Sequence, residues 1–281
     1  MPTEYERKFE YPPNFIDDAL PKGVISPSQF DMFRRCPRQY MYRYINDLVR
    51  PPAVAMIRGT AVHHGAEVTH RHTIEKGKPL ALKDAEQEVA DVYDRKSEDI
   101  EDWEGEDPGK EKDATVRNFR IYYMQAVPKI KPVKVESTFA KFIGTVPVRG
   151  VIDLVDSIET DTPTVDDDPD NLPMVEVVSD LKVTGRKWPE QKVRHAPQLT
   201  FYSIVEDTER VRVDFLLDQK SGTRYEPISS YRTINDRQIL VEDLEETVFL
   251  IKQGHFPRCD PTSWVCTPRF CGYYERCRGP K

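Results

Sequence analysis

A carboxylate and an ammonium two residues apart on an extended segment can meet at a reaction centre, and Asp180-Leu181-Lys182 supplies that pair. Alternate side chains of a strand project to one face, so Asp180 and Lys182 point together while Leu181 turns to the core. A second carboxylate, Asp153, closes the segment Gly150-Val151-Ile152-Asp153, 27 residues earlier. If Asp153 joins that face from a neighbouring strand, two carboxylates bracket a divalent cation, and Lys182 stands where an attacking water or scissile phosphate would be. Hard oxygen ligands suit Mg2+ or Mn2+, which polarises a phosphate and lowers the pKa of bound water, the equipment of phosphodiester hydrolysis. Alone, Asp-x-Lys is an ordinary ion pair at a strand end; its company gives it weight.

Upstream, Gly59-Thr60-Ala61-Val62-His63 lies in a predicted helix with Glu67 one turn beyond the imidazole. A neutral imidazole is a further metal ligand, and His64 beside His63 leaves the choice between them open. Downstream, Gln198 and Tyr202 share a helical face, and both can donate to phosphate oxygens. Between these groups, Lys182, Arg186, Lys187, Lys192 and Arg194 surround Trp188. Basic residues interleaved with an aromatic offer a nucleic-acid strand phosphate neutralisation and a ring for a base to stack on.

These residues must be positioned by two kinds of element. Ser26 as a cap and Pro27 as first helical residue start a helix to about Arg35, Cys36-Pro37 interrupts it, and a second helix spans Arg38 to about Asp47. Further helices are predicted over 58–76, 82–103 and 111–127, with a Gly/Pro/Asp break at 105–109. From residue 133 the period changes. Val133–Phe142 and Val146–Val155 read as strands joined around Gly144, and 173–183 as a third. A helix at 189–207, strands at 210–218 and 225–231, and a helix at 234–253 complete an α/β core with a helical N-terminal region.

The chain has 281 residues and a net charge of −7, but the acid is local. Residues 84–113 hold 14 acidic and 4 basic side chains, and 156–170 hold 7 acids and no base, leaving the rest at +10. A basic groove is compatible with acidic patches elsewhere, because screening confines each to about 10 Å. No apolar run is long enough to cross a membrane, and MPTEYERKFEYPP lacks the order of a secretory signal. The expectation is a cytoplasmic protein with no membrane partner. Gly105-Glu106-Asp107-Pro108-Gly109-Lys110 is one residue too short between its glycines for a phosphate loop, so the chain carries no motor of its own.

The ordered set G-T-x-x-H, G-x-I-D, D-x-K and Q-x-x-x-Y resembles the RecB-type branch of the PD-(D/E)XK nuclease superfamily. The resemblance runs from about Ser26 to Arg278, and Cys36 with Cys266, Cys271 and Cys277 is similar to the one early and three late cysteines that hold a [4Fe–4S] cluster in its AddB-type and CRISPR-adaptation members. Four thiolates can also hold zinc, but zinc sites favour close cysteine pairs, and the spacings of four and five residues here favour iron–sulfur. Either centre staples the two ends of the chain across some 230 residues. Cys259 fits no ligand position and reads as spare.

The resemblance implies a restriction-endonuclease-like core, a mixed sheet flanked by helices, with a cluster-binding tail. Its divisions are a lead-in at 1–25, a helical region at 26–130 contributing Cys36 and His63, a nuclease core at 131–254 and a cysteine-rich tail at 255–281. It implies that His63, Asp153 and Asp180 bind Mg2+ or Mn2+, with the Leu181 carbonyl a possible addition and Glu176 able to assist. Lys182 would position water or stabilise charge, and Gln198 and Tyr202 would orient DNA phosphate. The implied activity is a DNA exonuclease on single strands or ends, in recombination, repair or phage DNA metabolism, with any helicase or recombinase a separate partner. A spacer-trimming nuclease working beside an integrase shares the chemistry, and an inactive iron–sulfur DNA-binding module is the alternative of another class.

Overall fold

Ser26 accepts from the Gln29 backbone while the Gln29 side chain returns to the Ser26 N–H, a reciprocal cap that starts α1 (Pro27–Arg35). This computed structural model describes residues 11–103, 105–160, 172–219 and 221–280. Cys36 is extended, and α2 (Pro37–Tyr40) follows, so the helix predicted over 38–47 is only partly α-helical: Met41–Ile45 form a π-helical turn. Next come α3 (Val54–Lys76), α4 (Leu82–Ser97) and α5 (Pro108–Gln125). α4 stops short of residue 103, where the acids Glu98, Asp99, Glu101 and Asp102 would lie at the negative end of the helix dipole. α5 begins earlier than 111 because Asp107 caps the Lys110 N–H and Pro108 takes the first helical position.

The strands are β1 (Pro132–Ile143), β2 (Val146–Glu159), β3 (Met174–Thr184), β4 (Arg210–Gln219) and β5 (Gly222–Tyr231), hydrogen-bonded in that order in one sheet. β3 and β4 are parallel, whereas β2/β3 and β4/β5 are antiparallel. The crossover between the parallel strands carries α6 (Glu190–Arg194) and α7 (Pro197–Glu206). One helix was expected there; Pro197 has no N–H to continue it and opens a new one. α8 (Ile234–Lys252) and the short α9 (Tyr274–Arg278) end the chain. The fold is α/β, with a mixed five-stranded sheet flanked by helices. Most of the acidic insertion lies outside the described residues, and no described helix is long and apolar enough to cross a membrane.

The described residues form two compact units, each discontinuous in sequence. One holds the chain up to Arg50, Thr138–Val151 and the chain from Thr233; the other holds Pro51–Ser137 and Ile152–Arg232. In the second, α3, α4 and α5 pack on the sheet face of Leu154, Leu181 and Leu216, burying Val62, Val89 and Phe119. Gly65 sits where α3 approaches its neighbours, since a Cβ there would lie 2.4 Å from Val89 and 2.7 Å from Phe119. α7 packs on β3 and β4.

One charge was misplaced by composition. Asp156, the first acid of the stretch 156–170, is fully buried in β2 and accepts from Arg212 Nη1 at 2.8 Å and from the Lys131 N–H at 2.8 Å. Arg212 also holds Asp214 at 2.8 Å, and Asp214 accepts from Ser179 and from Tyr225. This network ties β2, β3, β4 and β5 together beneath the site. Removing one charge from it should cost about 3–5 kcal/mol, because its partner stays buried.

Candidate active site

The β2/β3 ladder pairs Leu154 with Ser179, both on the face that turns to α3. The next residue along each strand is Asp153 and Asp180, and Asp153 lines one pocket with His63, Leu154, Ser179 and Leu181. Asp153 Oδ2 accepts from the Leu181 N–H at 3.1 Å, which fixes one carboxylate against the backbone of the strand carrying the other. Lys182 Nζ lies 2.7 Å from Asp180 Oδ2 and 3.3 Å from Gln198 Oε1, and Gln198 Nε2 donates to the Tyr202 hydroxyl at 2.8 Å. These side chains of β3 and α7 thus form one connected line, Asp180–Lys182–Gln198–Tyr202.

α3 brings His63 to the other end of it. Its Nδ1 is 3.4 Å from Asp153 Oδ2. His64 faces elsewhere, at 3.6 Å from Glu67 and 3.2 Å from Glu88, and the Glu67 hydrogen bond raises its pKa. Glu67 itself pairs with Arg71 at 2.8 Å. Glu176 acts on Lys134, which pairs with Glu206, and stands apart from the metal-type ligands.

The ligand that sequence reasoning missed is Glu136 on β1. Ligand atoms of His63, Glu136 and Asp153 all lie within 4.8 Å of one another. Glu136 has φ of 47°, a left-handed conformation inside a strand that costs a non-glycine residue roughly 1–3 kcal/mol. A positive φ is invisible in the letters Val135-Glu136-Ser137, which read as ordinary alternating strand.

Electrostatics follow burial. Desolvation lifts the Asp180 carboxyl above the usual carboxylate range against the pull of Lys182, and the Asp153 charge pushes the same way as burial. The Tyr202 phenol is held protonated by burial and by Asp153 and Asp180, so it is a hydrogen-bond donor at neutral pH. An imidazole and carboxylates with an ammonium beside them form a donor set that fits a divalent cation.

An acid on one strand followed by Asp-x-Lys on the next is the pattern that names a family, and the model of the PD-(D/E)XK nuclease superfamily matches residues 24–278. The chain belongs to that superfamily. It is a hydrolytic nuclease, and such nucleases use divalent metals. Among solved structures, a "putative exonuclease" from Eubacterium rectale covers 92% of this chain and 89% of its own at 16% identity with a TM-score of 0.55, a likeness of fold. The structure of SSO0001 covers 91% of this chain and 86% of its own at 13% identity with a TM-score of 0.42. No curated protein matches the chain significantly.

The nuclease's basic segment is only partly open. Trp188 packs edge-on against Phe215 with ring centroids 5.8 Å apart, and Lys192 Nζ caps its ring at 4.0 Å. Lys187 pairs with Glu226 at 2.9 Å, while Arg186 and Arg194 are exposed. Lys187 and Arg194 line an open groove with Ser229 and Ser230 of β5.

The other unit of the nuclease gathers all five cysteines around a small cavity of about 20 Å³. Cys36, Cys266, Cys271 and Cys277 line it, and so does Cys259, which interacts with both Cys36 and Cys266. Burial and those two neighbours push the Cys259 thiol up to about 12. Arg38, Arg258 and Arg278 line the same cavity, and Gln39 Nε2 lies 4.0 Å from Cys271 Sγ. Cationic and N–H donor groups around thiols fit a centre that carries thiolate charge. Cys259 fits no ligand position of the family pattern, yet it lines the same cavity as the other four.

Proposed function

We propose that this nuclease is a Mg2+- or Mn2+-dependent DNA exonuclease acting on single strands or DNA ends, with a structural [4Fe–4S] cluster. The carrying observation is the line Asp180–Lys182–Gln198–Tyr202, linked to the trio His63, Glu136 and Asp153 by the Leu181 N–H that donates to Asp153. His63, Glu136, Asp153 and Asp180 would hold the divalent ion. When bound, that ion supplies charge neutralisation at the phosphate and a lowered pKa for water.

The protein's own groups have separable roles. Lys182, held between Asp180 and Gln198, places an ammonium where negative charge grows on the phosphate. Gln198 and the protonated Tyr202 orient phosphate oxygens as donors. Asp153 is anchored by the Leu181 N–H, which holds its carboxylate against the strand that carries Asp180. Lys187 and Arg194 neutralise the strand's phosphates along the β5 groove.

Support for a cluster over zinc comes from the sequence, where the late cysteines are separated by four and five residues rather than standing in the close pairs usual at zinc.

End-labelled single-stranded DNA incubated with anaerobically purified protein, with and without Mn2+, tests the reading. Metal-dependent loss of label that Asp180→Asn abolishes is expected, together with absorption near 400 nm and about four irons per chain. A colourless zinc protein refutes the cluster assignment, and absence of metal-dependent cleavage refutes the nuclease assignment.

A further inference from the structure

The cysteine-rich unit carries a pair of exposed aromatic rings. Trp264 is 61% exposed and Phe270 is 53% exposed, and their rings meet edge to face with centroids 5.4 Å apart. The Arg269 guanidinium lies over the Phe270 ring at 5.4 Å. Single exposed apolar side chains are ordinary, but two large rings held together in water give up burial that a core would provide. Their backbone is tied down by turns: Cys266 N–H donates to Ser263 O at 2.8 Å, and both Phe270 and Cys271 donate to Thr267 O. Trp264 is two residues before Cys266 and Phe270 is next to Cys271, so the rings stand on the same turns as the thiols.

Charge selects the occupant. Arg258, Arg269, Arg276 and Arg278 are exposed in this tail against Asp260 and Glu275, in a chain whose net charge is −7. Fixed aromatic faces among guanidinium groups are what an unpaired nucleotide needs, a ring for its base and cations for its phosphates. Trp188, the aromatic that the sequence offers for this purpose, is already occupied by Lys192 and Phe215.

We infer that Trp264 and Phe270, with Arg269, form a stacking platform for unpaired bases of a DNA strand. The inference rests on the DNA-nuclease reading and extends it to a binding site on the cysteine-rich unit.

The test uses full-length, cluster-loaded protein carrying Lys182→Ala, so that binding proceeds without cleavage, and a fluorescein-labelled oligothymidylate. Trp264→Ala and Phe270→Ala should each weaken binding about tenfold while leaving its salt dependence unchanged, because no phosphate contact is lost. Trp264→Tyr should restore affinity and Trp264→Leu should not, which separates stacking from apolar burial. For the unsubstituted platform, replacing the thymidines by abasic residues should cost about the same factor, a measurement that needs no platform variant to fold. Equal affinity for intact and abasic strands, or full affinity in Trp264→Ala with unchanged visible absorption, overturns the platform. So does self-association that Trp264→Ala abolishes while DNA affinity stays at the parent value, which would make the rings a protein interface. Base-dependent binding with no cleavage by the unsubstituted enzyme leaves the platform standing and removes the nuclease reading instead.

Discussion

The two clusters of ligating side chains are built in opposite ways. His63, Glu136, Asp153 and Asp180 stand on a 23-residue helix and on sheet strands, and their positions are set by protein contacts: the Leu181 N–H on Asp153 and Lys182 on Asp180. Apart from Cys277 in the short α9, the cysteines stand outside regular elements. Cys36 is an extended residue between two helices, and Cys259, Cys266 and Cys271 belong to a stretch with neither helix nor strand. One site is preorganised by the fold, while the other must be organised by whatever it binds. On the proposed assignment, the first should keep its shape on losing its ion and the second should not.

The largest expected effect lies at the preorganised site. Lys182→Ala and Asp180→Ala should each lower cleavage of end-labelled DNA by about 10³-fold, the scale of a lost charge-stabilising group. Visible absorption and iron content should stay at parent levels. Loss of iron in either variant would show that the two centres are not independent.

The next effect belongs to the other site and has the opposite signature. Cys266→Ser should bleach the visible absorption and lower thermal stability by about 10 °C, corresponding to some 3–5 kcal/mol for a chain of this size. EDTA, in contrast, should stop cleavage with no comparable fall in melting temperature. Equal melting shifts for EDTA and Cys266→Ser would erase the distinction between a preorganised and a metal-organised site. Cys259→Ser, measured the same way, decides whether the fifth thiol is a ligand.

A smaller effect reports on the layer beneath the active site. His70 is buried, donates or accepts through Nε2 with the Tyr122 hydroxyl at 2.7 Å, and its pKa is lowered by desolvation from 6.5 to about 4. The folded state therefore keeps it neutral while the unfolded chain protonates below 6.5. Stability from this residue is present above about pH 6.5 and is lost progressively as pH falls toward 4, to a limit of roughly 3 kcal/mol. Urea midpoints of His70→Gln should be flatter than the parent's across that window. Parallel curves would assign the acid sensitivity to other groups.

What was legible in the sequence depended on whether a local pattern determined the outcome. Asp180-x-Lys182 on one strand and Gln198 with Tyr202 on one helical face follow from periods of 2 and 3.6, and the structure joins them. The Gly150 motif has a packing reason, since a Cβ there would lie 2.6 Å from the Phe139 ring. Long-range pairing was not legible. Asp156 looked solvated until Arg212, 56 residues away, was placed against it, and Trp188 looked available until Phe215 and Lys192 covered it. Cys259 joined the other thiols through a turn that no spacing rule encodes.

Glu136 condenses the comparison into one residue, because it shows what preorganisation costs. Its backbone is left-handed where the strand around it is extended, and its carboxylate belongs to the trio with His63 and Asp153. Glycine adopts that backbone freely, so Glu136→Gly should relieve strain and leave the protein as stable or up to about 1 kcal/mol more stable, despite glycine's entropy in the unfolded chain. The same variant removes a ligand and should slow cleavage about tenfold to a hundredfold, as should Glu136→Gln without the gain in stability. Thermal melts and initial rates on the same preparations check both. Opposite signs in Glu136→Gly mean that backbone strain is spent to aim a ligand. If Glu136→Gly is destabilised and Glu136→Gln cleaves at the parent rate, the twist in β1 serves the sheet, and the metal site reduces to His63, Asp153 and Asp180.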